Sequence, residues 1–122
     1  MSGNGKELSE SEILKFVDAY IDSFIVWDII LFYYHNPSAV ENAASLASRL
    51  GRADKDVKAS LVELAKRDVL VASDGGTFIY SPAPELATRI ECFNNALSVS
   101  SMRLTILSQV LSKGKGRPWK QD

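Results

Sequence analysis

The sequence predicts a mainly helical domain that carries one small antiparallel sheet. Apolar residues recur at helical spacing within residues 42–50 and again within residues 54–68. Two short strands are predicted next, at Val69–Ala72 and Thr77–Ser81, separated by Ser-Asp-Gly-Gly. Glycines in this position suit the left-handed backbone of a hairpin turn. A helix, a short turn, a second helix and a hairpin are therefore expected in direct succession.

The ends of these two helices have their own sequence signals. Gly51 follows the first helix, where a residue of left-handed conformation commonly ends a helix. Asn42 is predicted to cap the start of that helix and Asp54 the start of the next, because both side chains can accept hydrogen bonds from first-turn N–H groups. Residues 38–41 are predicted to add a third strand to the hairpin.

This succession resembles the MarR/ArsR-like winged helix-turn-helix proteins. The resemblance is carried by a small-residue-rich helix ending in Leu50-Gly51, a helix with spaced Val57, Leu61 and Leu64, and the hairpin as the wing. It implies a winged helix-turn-helix fold with N-terminal helices and a long C-terminal helix.

The chain is still more similar to a group of small bacterial winged-helix proteins of poorly defined function. These have a YIDSF segment before a very apolar helix, here residues 20–24, and a PEL segment that opens the last helix, here residues 84–86. The resemblance covers residues 13–111. It implies a winged-helix fold and leaves the function open.

Further helices are predicted on both sides of this unit. Residues 9–12 form a capping box before a helix that runs to about Asp22. Asp22 or Ser23 is predicted to cap a second helix at residues 24–35, which is apolar nearly all round. This helix is either a central core helix or part of a dimer interface.

The C-terminal region favours one long helix over residues 84–112. Its apolar residues form a heptad-like seam that is interrupted at residues 98–101, so two helices meeting at these serines are the alternative. The seam can pack on the chain itself, on a second subunit, or on both. The candidate dimer-interface residues are Trp27, Leu31, Phe32, Leu86, Ile90, Phe93, Leu97, Leu104, Leu107 and Leu111.

Length and composition predict a single domain. The chain has 122 residues, of which 46% are apolar, and a net charge of −1. The domain is expected to span residues 1–112, with residues 1–8 disordered, and residues 113–122 are expected to form a basic flexible tail. The longest apolar run, residues 24–34, is well short of the roughly 20 residues that span a bilayer, so no membrane association is expected.

No catalytic, metal or cofactor site is predicted. The chain has one histidine, His35, and one cysteine, Cys92, and these lie far apart in the sequence. A single cysteine excludes an internal disulfide and fits a reducing cytoplasm. We therefore expect a cytoplasmic protein that is not an enzyme and binds no cofactor.

The second helix of a winged helix-turn-helix unit would enter the DNA major groove. The candidate DNA-binding residues are Ser45, Ser48, Arg49, Arg52, Lys55, Asp56, Lys58, Ala59, Val62 and Lys66, and the wing consists of Asp74, Gly75, Gly76 and Thr77. Against DNA binding, Asp54 and Asp56 lie in the first turn of that helix, and the wing has no lysine or arginine. The mixed charges also suit an ordinary solvated helix face.

Two functions are therefore considered. The first is a homodimeric transcriptional regulator that binds palindromic double-stranded DNA, with dimerisation supplying most of the affinity. The second is a winged-helix module that binds a protein partner and has little or no affinity for DNA.

Overall fold

The computed structural model describes residues 8–115, which form six helices and a three-stranded antiparallel sheet. The helices are Glu10–Tyr20 (α1), Phe24–His35 (α2), Ala43–Leu50 (α3), Asp54–Lys66 (α4), Pro84–Ala96 (α5) and Ser100–Lys115 (α6). The strands are Val40–Asn42 (β1), Leu70–Ser73 (β2) and Thr77–Tyr80 (β3). The prediction of a mainly helical chain with a small antiparallel sheet is confirmed.

The described residues divide into two compact units. The terminal unit consists of residues 8–27 and 88–115, and the central unit consists of residues 28–87. The division passes through α2 and α5. The core of the central unit contains Ile29, Ile30, Tyr33, Leu46, Ala47, Val57, Leu61, Leu64, Val69, Leu70 and Phe78. The core of the terminal unit contains Ile13, Phe16, Val17, Ile21, Ile90, Phe93, Ile106 and Val110.

The sheet of the central unit has the strand order β1-β3-β2. Phe78 of β3 lies opposite Glu41 of β1 and Ala72 of β2. Strands β2 and β3 are joined by a single turn at Asp74–Gly76, in which both glycines have positive φ angles of 71° and 77°. The predicted hairpin and its third strand are confirmed, although the third strand is Val40–Asn42 rather than residues 38–41.

Local signals define α3 but not the start of α4. Asn42 caps α3 by accepting a 2.8 Å hydrogen bond from the Ser45 N–H, and Gly51 ends α3 with φ 67°, so both predictions are confirmed. The prediction that Asp54 caps α4 is wrong. Ala53 is the N-cap and makes no side-chain hydrogen bond, while Asp54 is the first helical residue. There its carboxylate interacts favourably with the helix dipole instead of accepting a capping bond.

Helices α1 and α2 both begin next to a residue that was predicted to cap them. The Ser9–Glu12 capping box is present, with the Ser9 N–H donating to the Glu12 carboxylate at 2.9 Å. These hydrogen bonds from Ser9 hold the pKa of Glu12 below its ordinary value. Of the two alternatives for α2, Ser23 is the residue whose hydroxyl accepts from the Val26 N–H, at 3.3 Å.

The C-terminal region forms two helices, so the prediction of one long helix is wrong. Between α5 and α6 the backbone forms turns that are tighter than those of an α-helix. In one of them the Ser98 N–H donates to the Asn95 carbonyl at 3.1 Å. The Ser98 hydroxyl donates to the same carbonyl at 2.7 Å. Serine competes in this way for backbone carbonyls that a continuous helix needs. Arg103 then donates to the Leu97 carbonyl at 2.8 Å.

The buried face of α6 also differs from the predicted seam. Ile106 and Val110 are the buried residues of this helix, whereas Leu104 and Leu111 are 63% and 51% exposed. Both pairs have helical spacing, and the sequence pattern favoured the leucines. The α6 part of the predicted seam therefore does not face the core of the described chain.

Lys113 joins α6 to the end of α1 within the terminal unit. Its ammonium group donates to the carbonyls of Asp18 and Ile21, at 2.6 and 3.2 Å, and to the Asp22 carboxylate at 3.2 Å. The last carbonyls of a helix have no partner within the helix, so Lys113 satisfies groups that α1 leaves open. Residues 113–115 of the predicted tail belong to α6, and residues 116–122 and 1–7 lie outside the described residues.

Among residues 8–115, the helices lack the combination of length and apolarity needed to cross a bilayer.

Lys113→Met should lower the free energy of unfolding by about 1–3 kcal/mol, because the α1 carbonyls lose a charged donor in a partly buried site. Urea denaturation followed by circular dichroism measures the effect. Lys58→Met, at an exposed position of α4, is the matched control and should change stability by less than about 0.5 kcal/mol. Equal effects of the two substitutions would contradict a capping role for Lys113.

Candidate nucleic-acid interface

Helix α4 has one buried and one exposed face. Val57, Leu61 and Leu64 are each at most 1% exposed and lie in the core of the central unit. Most side chains predicted on the other side of α4 are exposed: Lys55, Asp56, Lys58, Ala59, Val62 and Lys66. Glu63, which was predicted on the same side, is half-buried. The helix is therefore held by its inner face, and its outer face is available along the whole length.

The charges on the exposed side of α4 are mixed. Asp54 and Asp56 lie in its first turn, beside Lys55 and Lys58. At the other end, Arg67 donates to the Glu63 carboxylate at 3.0 Å, as predicted for residues four positions apart. The outer face of α4 thus carries lysines without forming a continuous positive surface.

The sheet and α3 are joined through a buried carboxylate that the sequence analysis did not identify. Glu41 of β1 is 8% exposed and is the only buried charged residue within residues 8–113. It accepts a 2.6 Å hydrogen bond from the Ser45 hydroxyl and a 3.1 Å bond from Nε of Arg49. Two candidate phosphate-binding side chains, Ser45 and Arg49, are therefore already bonded inside the central unit.

The second arginine beside the α3–α4 turn is also paired. Arg52 donates to one carboxylate oxygen of Asp28 in α2, at 2.7 and 3.1 Å. Both side chains are about one third exposed, so we expect this pair to contribute about 0–1 kcal/mol to stability. A phosphate can therefore replace Asp28 as the partner of Arg52 at a modest cost in free energy. Ser48, the remaining polar candidate on α3, is exposed.

The turn between β2 and β3 is acidic. Asp74, Gly75 and Gly76 are exposed, and the Thr77 hydroxyl donates to the Asp74 carbonyl at 2.7 Å. Residues 28–87 contain six basic and eight acidic residues, a net charge of −2. The central unit therefore has no overall positive charge to attract a nucleic acid.

The candidate dimer-interface residues fall into three groups by exposure. Leu86, Ile90 and Phe93 are buried within one chain, which leaves them little surface for a partner. Trp27, Leu31, Phe32, Leu97 and Leu107 are half-buried, and Leu104 and Leu111 are exposed. Leu104 and Leu111 of α6 are thus the large, clearly exposed members of the predicted set.

Side chains suited to metal binding do not converge in the part of the chain that the structure describes. Residues 8–115 contain no set of three or more histidine, cysteine or carboxylate side chains that could hold a metal ion. His35 is exposed at the end of α2, and Cys92 is half-buried in α5.

No protein-family model, curated protein or solved structure matches this chain.

Tyr33 of α2 is buried beside the Glu41 network. Its hydroxyl donates to the Phe78 carbonyl of β3 at 2.8 Å, and its ring stacks on Tyr80. Burial raises the pKa of Tyr33 to about 12, and the negative charge of Glu41 adds to the increase. A neutral Tyr33 therefore ties α2 to the central strand of the sheet.

Stability should decrease at high pH because Tyr33 must ionise. Tyrosine in an unfolded chain titrates near pH 10, below the folded-state pKa of about 12. The contribution of neutral Tyr33 is therefore fully present below pH 10 and is lost as the pH rises through 12.

We expect absorbance titration of the tyrosinate groups to show a late step that is missing in Tyr33→Phe and retained in Tyr34→Phe. Ionisation of all four tyrosines near pH 10 in the folded protein would contradict the assignment.

Proposed function

We propose that this chain is a winged helix-turn-helix protein that binds double-stranded DNA as a homodimeric regulator of transcription. In this proposal α3 and α4 form the helix-turn-helix, β2 and β3 form the wing, and β1 is its third strand. The observation that carries the proposal is the outer face of α4, which is exposed over its full length while its inner face is anchored in the core.

On this proposal, α4 is the helix that enters the major groove. Lys55 and Lys58 lie in its N-terminal half, where such helices contact base edges and nearby phosphates. Asp56, between them, can accept a hydrogen bond from N4 of cytosine. The lysines and the aspartate together favour a sequence with a guanine–cytosine pair near the start of the helix.

Contacts to the DNA backbone come from α3 and from the turn that follows it. Arg49 keeps a 61% exposed side chain although its Nε is bonded to Glu41. The buried carboxylate holds the guanidinium in place while its terminal nitrogens remain at the surface. Arg52 reaches a phosphate by exchanging its bond with Asp28, so DNA must compete with an existing ion pair.

Dimerisation supplies the affinity that one mixed-charge module lacks. Leu104 and Leu111 are exposed one heptad apart on α6, with half-buried Leu107 between them. Such spacing is typical of helices that pair along one seam. Joining two modules makes the second DNA contact intramolecular and raises the overall affinity.

DNA binding should be weak, salt-dependent and sensitive to α4. In fluorescence anisotropy with a random duplex, Lys58→Gln should lower the affinity and reduce the slope of log K against log salt by about 0.9, the value for one lost phosphate contact. Lys15→Gln, an exposed lysine of α1, is the matched control and should change neither quantity. A wild-type affinity that does not depend on salt would contradict the proposal.

Releasing Arg52 should strengthen DNA binding. Asp28→Asn removes the carboxylate that competes with the phosphate for Arg52, so the affinity should rise. Asp18→Asn removes the same charge from the exposed surface of α1 and should leave the affinity unchanged. If both variants raise the affinity equally, net charge is responsible and Arg52 makes no phosphate contact.

The exposed leucines of α6 should be required for self-association. Leu104→Gln combined with Leu111→Gln should convert a dimer to a monomer in sedimentation equilibrium, since the seam loses its apolar surface. Leu104→Met combined with Leu111→Met keeps that surface and should remain dimeric. A monomeric wild-type protein, or a dimer unaffected by the glutamines, would overturn this part of the proposal.

A protein-binding module is the second candidate function. It is favoured by the net charge of −2 over residues 28–87 and by the pairing of both arginines beside the α3–α4 turn. Val62 and Ala59 then act as apolar contacts on the outer face of α4. This function is supported if no variant, including Asp28→Asn, binds duplex DNA at low salt.

A further inference from the structure

A cavity of about 350 Å³ lies within the terminal unit, at some distance in sequence from every residue of the proposed DNA interface. Its walls come from Leu8, from α1 and α5, from the turn between α5 and α6, and from the start of α6. Ile13 and Ala96 are almost fully buried, while Val99 and Met102 lie closer to the surface. This volume is at the lower end of the range for small-molecule sites, which is about 300–1,000 Å³.

The cavity has one charged wall residue. Glu10 is the only charged side chain that lines it within the part of the chain that the structure describes. Glu10 is exposed and lies in the first turn of α1. Arg103 follows Met102 in the sequence, but it donates to the Leu97 carbonyl at the end of α5 and does not line the cavity.

These observations define a preferred ligand chemistry. The side chains of Ile13, Ala96, Val99 and Met102 favour an apolar body, and the Met102 thioether can adapt to irregular shapes. An ionised carboxylate at the rim favours a positive group and repels a negative one. We propose that this cavity binds a small lipophilic cation, with the apolar part inside and the cationic end at Glu10.

Cys92 provides a direct measure of occupancy. It lines the same cavity, it is half-buried, and it is the only cysteine of the chain. A ligand in the cavity should therefore slow alkylation of Cys92 by iodoacetamide, a neutral reagent that the charge of the ligand neither attracts nor repels. Mass spectrometry of the intact protein reports the rate.

The experiment compares three molecules with the same tail, below their micelle concentrations: decyltrimethylammonium, decyl glucoside and decyl sulfate. The cation should protect Cys92 at the lowest concentration and the sulfate at the highest, while circular dichroism remains unchanged. Equal protection by all three, or protection by none, would overturn the proposal.

Substitution of Glu10 tests the charge assignment. Glu10→Gln should weaken protection by the cation by about two- to fivefold, the range expected for an exposed ion pair, and leave protection by decyl glucoside unchanged. Glu91→Gln is the matched control, because Glu91 is exposed on α5, next to Cys92, and does not line the cavity. An identical loss in both variants would show that net charge, rather than this site, attracts the cation and would overturn the proposal.

Discussion

The buried carboxylate of Glu41 is the constraint on which the central unit depends. Removing an unpaired carboxylate from water costs several kcal/mol, so its folded position requires partners. Ser45 and Arg49 supply them from α3, and β1 is thereby fixed to the helix that follows it. A strand of only three residues is short for independent pairing with a sheet. The position of β1 is instead set at one junction by three features: the Asn42 cap, the hydrogen bonds of Glu41 and the register with β3.

Within the central unit, the arrangement of the helices and the hairpin depends on other interactions than the surface charge does. The arrangement of α3, α4 and the hairpin is set by apolar faces and turn geometry, which do not depend on surface charge. The arginines that a nucleic-acid interface would use are set by ion pairs with Glu41 and Asp28. The arrangement of the two helices and the hairpin therefore does not depend on the arginines, which are partly neutralised by carboxylates of the same unit. Arg49 and Arg52 differ in this respect, since the partner of Arg49 is buried and the partner of Arg52 is about one third exposed. Only the second pair can be exchanged cheaply for a phosphate.

Signals contained within a few residues were sufficient to predict much of the fold. Gly51, the Asn42 cap and the turn glycines each depend on a local backbone requirement, and each was predicted correctly. Contacts between distant residues were not predictable in this way: Arg52 meets Asp28 over 24 positions, and Lys113 meets Asp18 over 95. Local exceptions to the usual residue preferences also limited the prediction. Asp68 takes the left-handed position after α4 that glycine usually fills, and Ser98 divides a region whose apolar spacing favoured one helix. For the candidate site, the sequence was sufficient to predict which side of α4 is exposed, but not that its neighbouring arginines are already paired.

Helix α6 connects the fold to the proposed mode of action. Two sets of apolar residues follow its length, and burial of Ile106 and Val110 in the terminal unit turns Leu104 and Leu111 toward solvent. Full burial of a leucine contributes about 1.5–3 kcal/mol, so two exposed leucines on one seam leave an appreciable driving force for association. A module with paired arginines and an acidic turn needs an additional source of affinity if it is to hold DNA. Under the proposed function, self-association through α6 is that source, and it requires no change in α4.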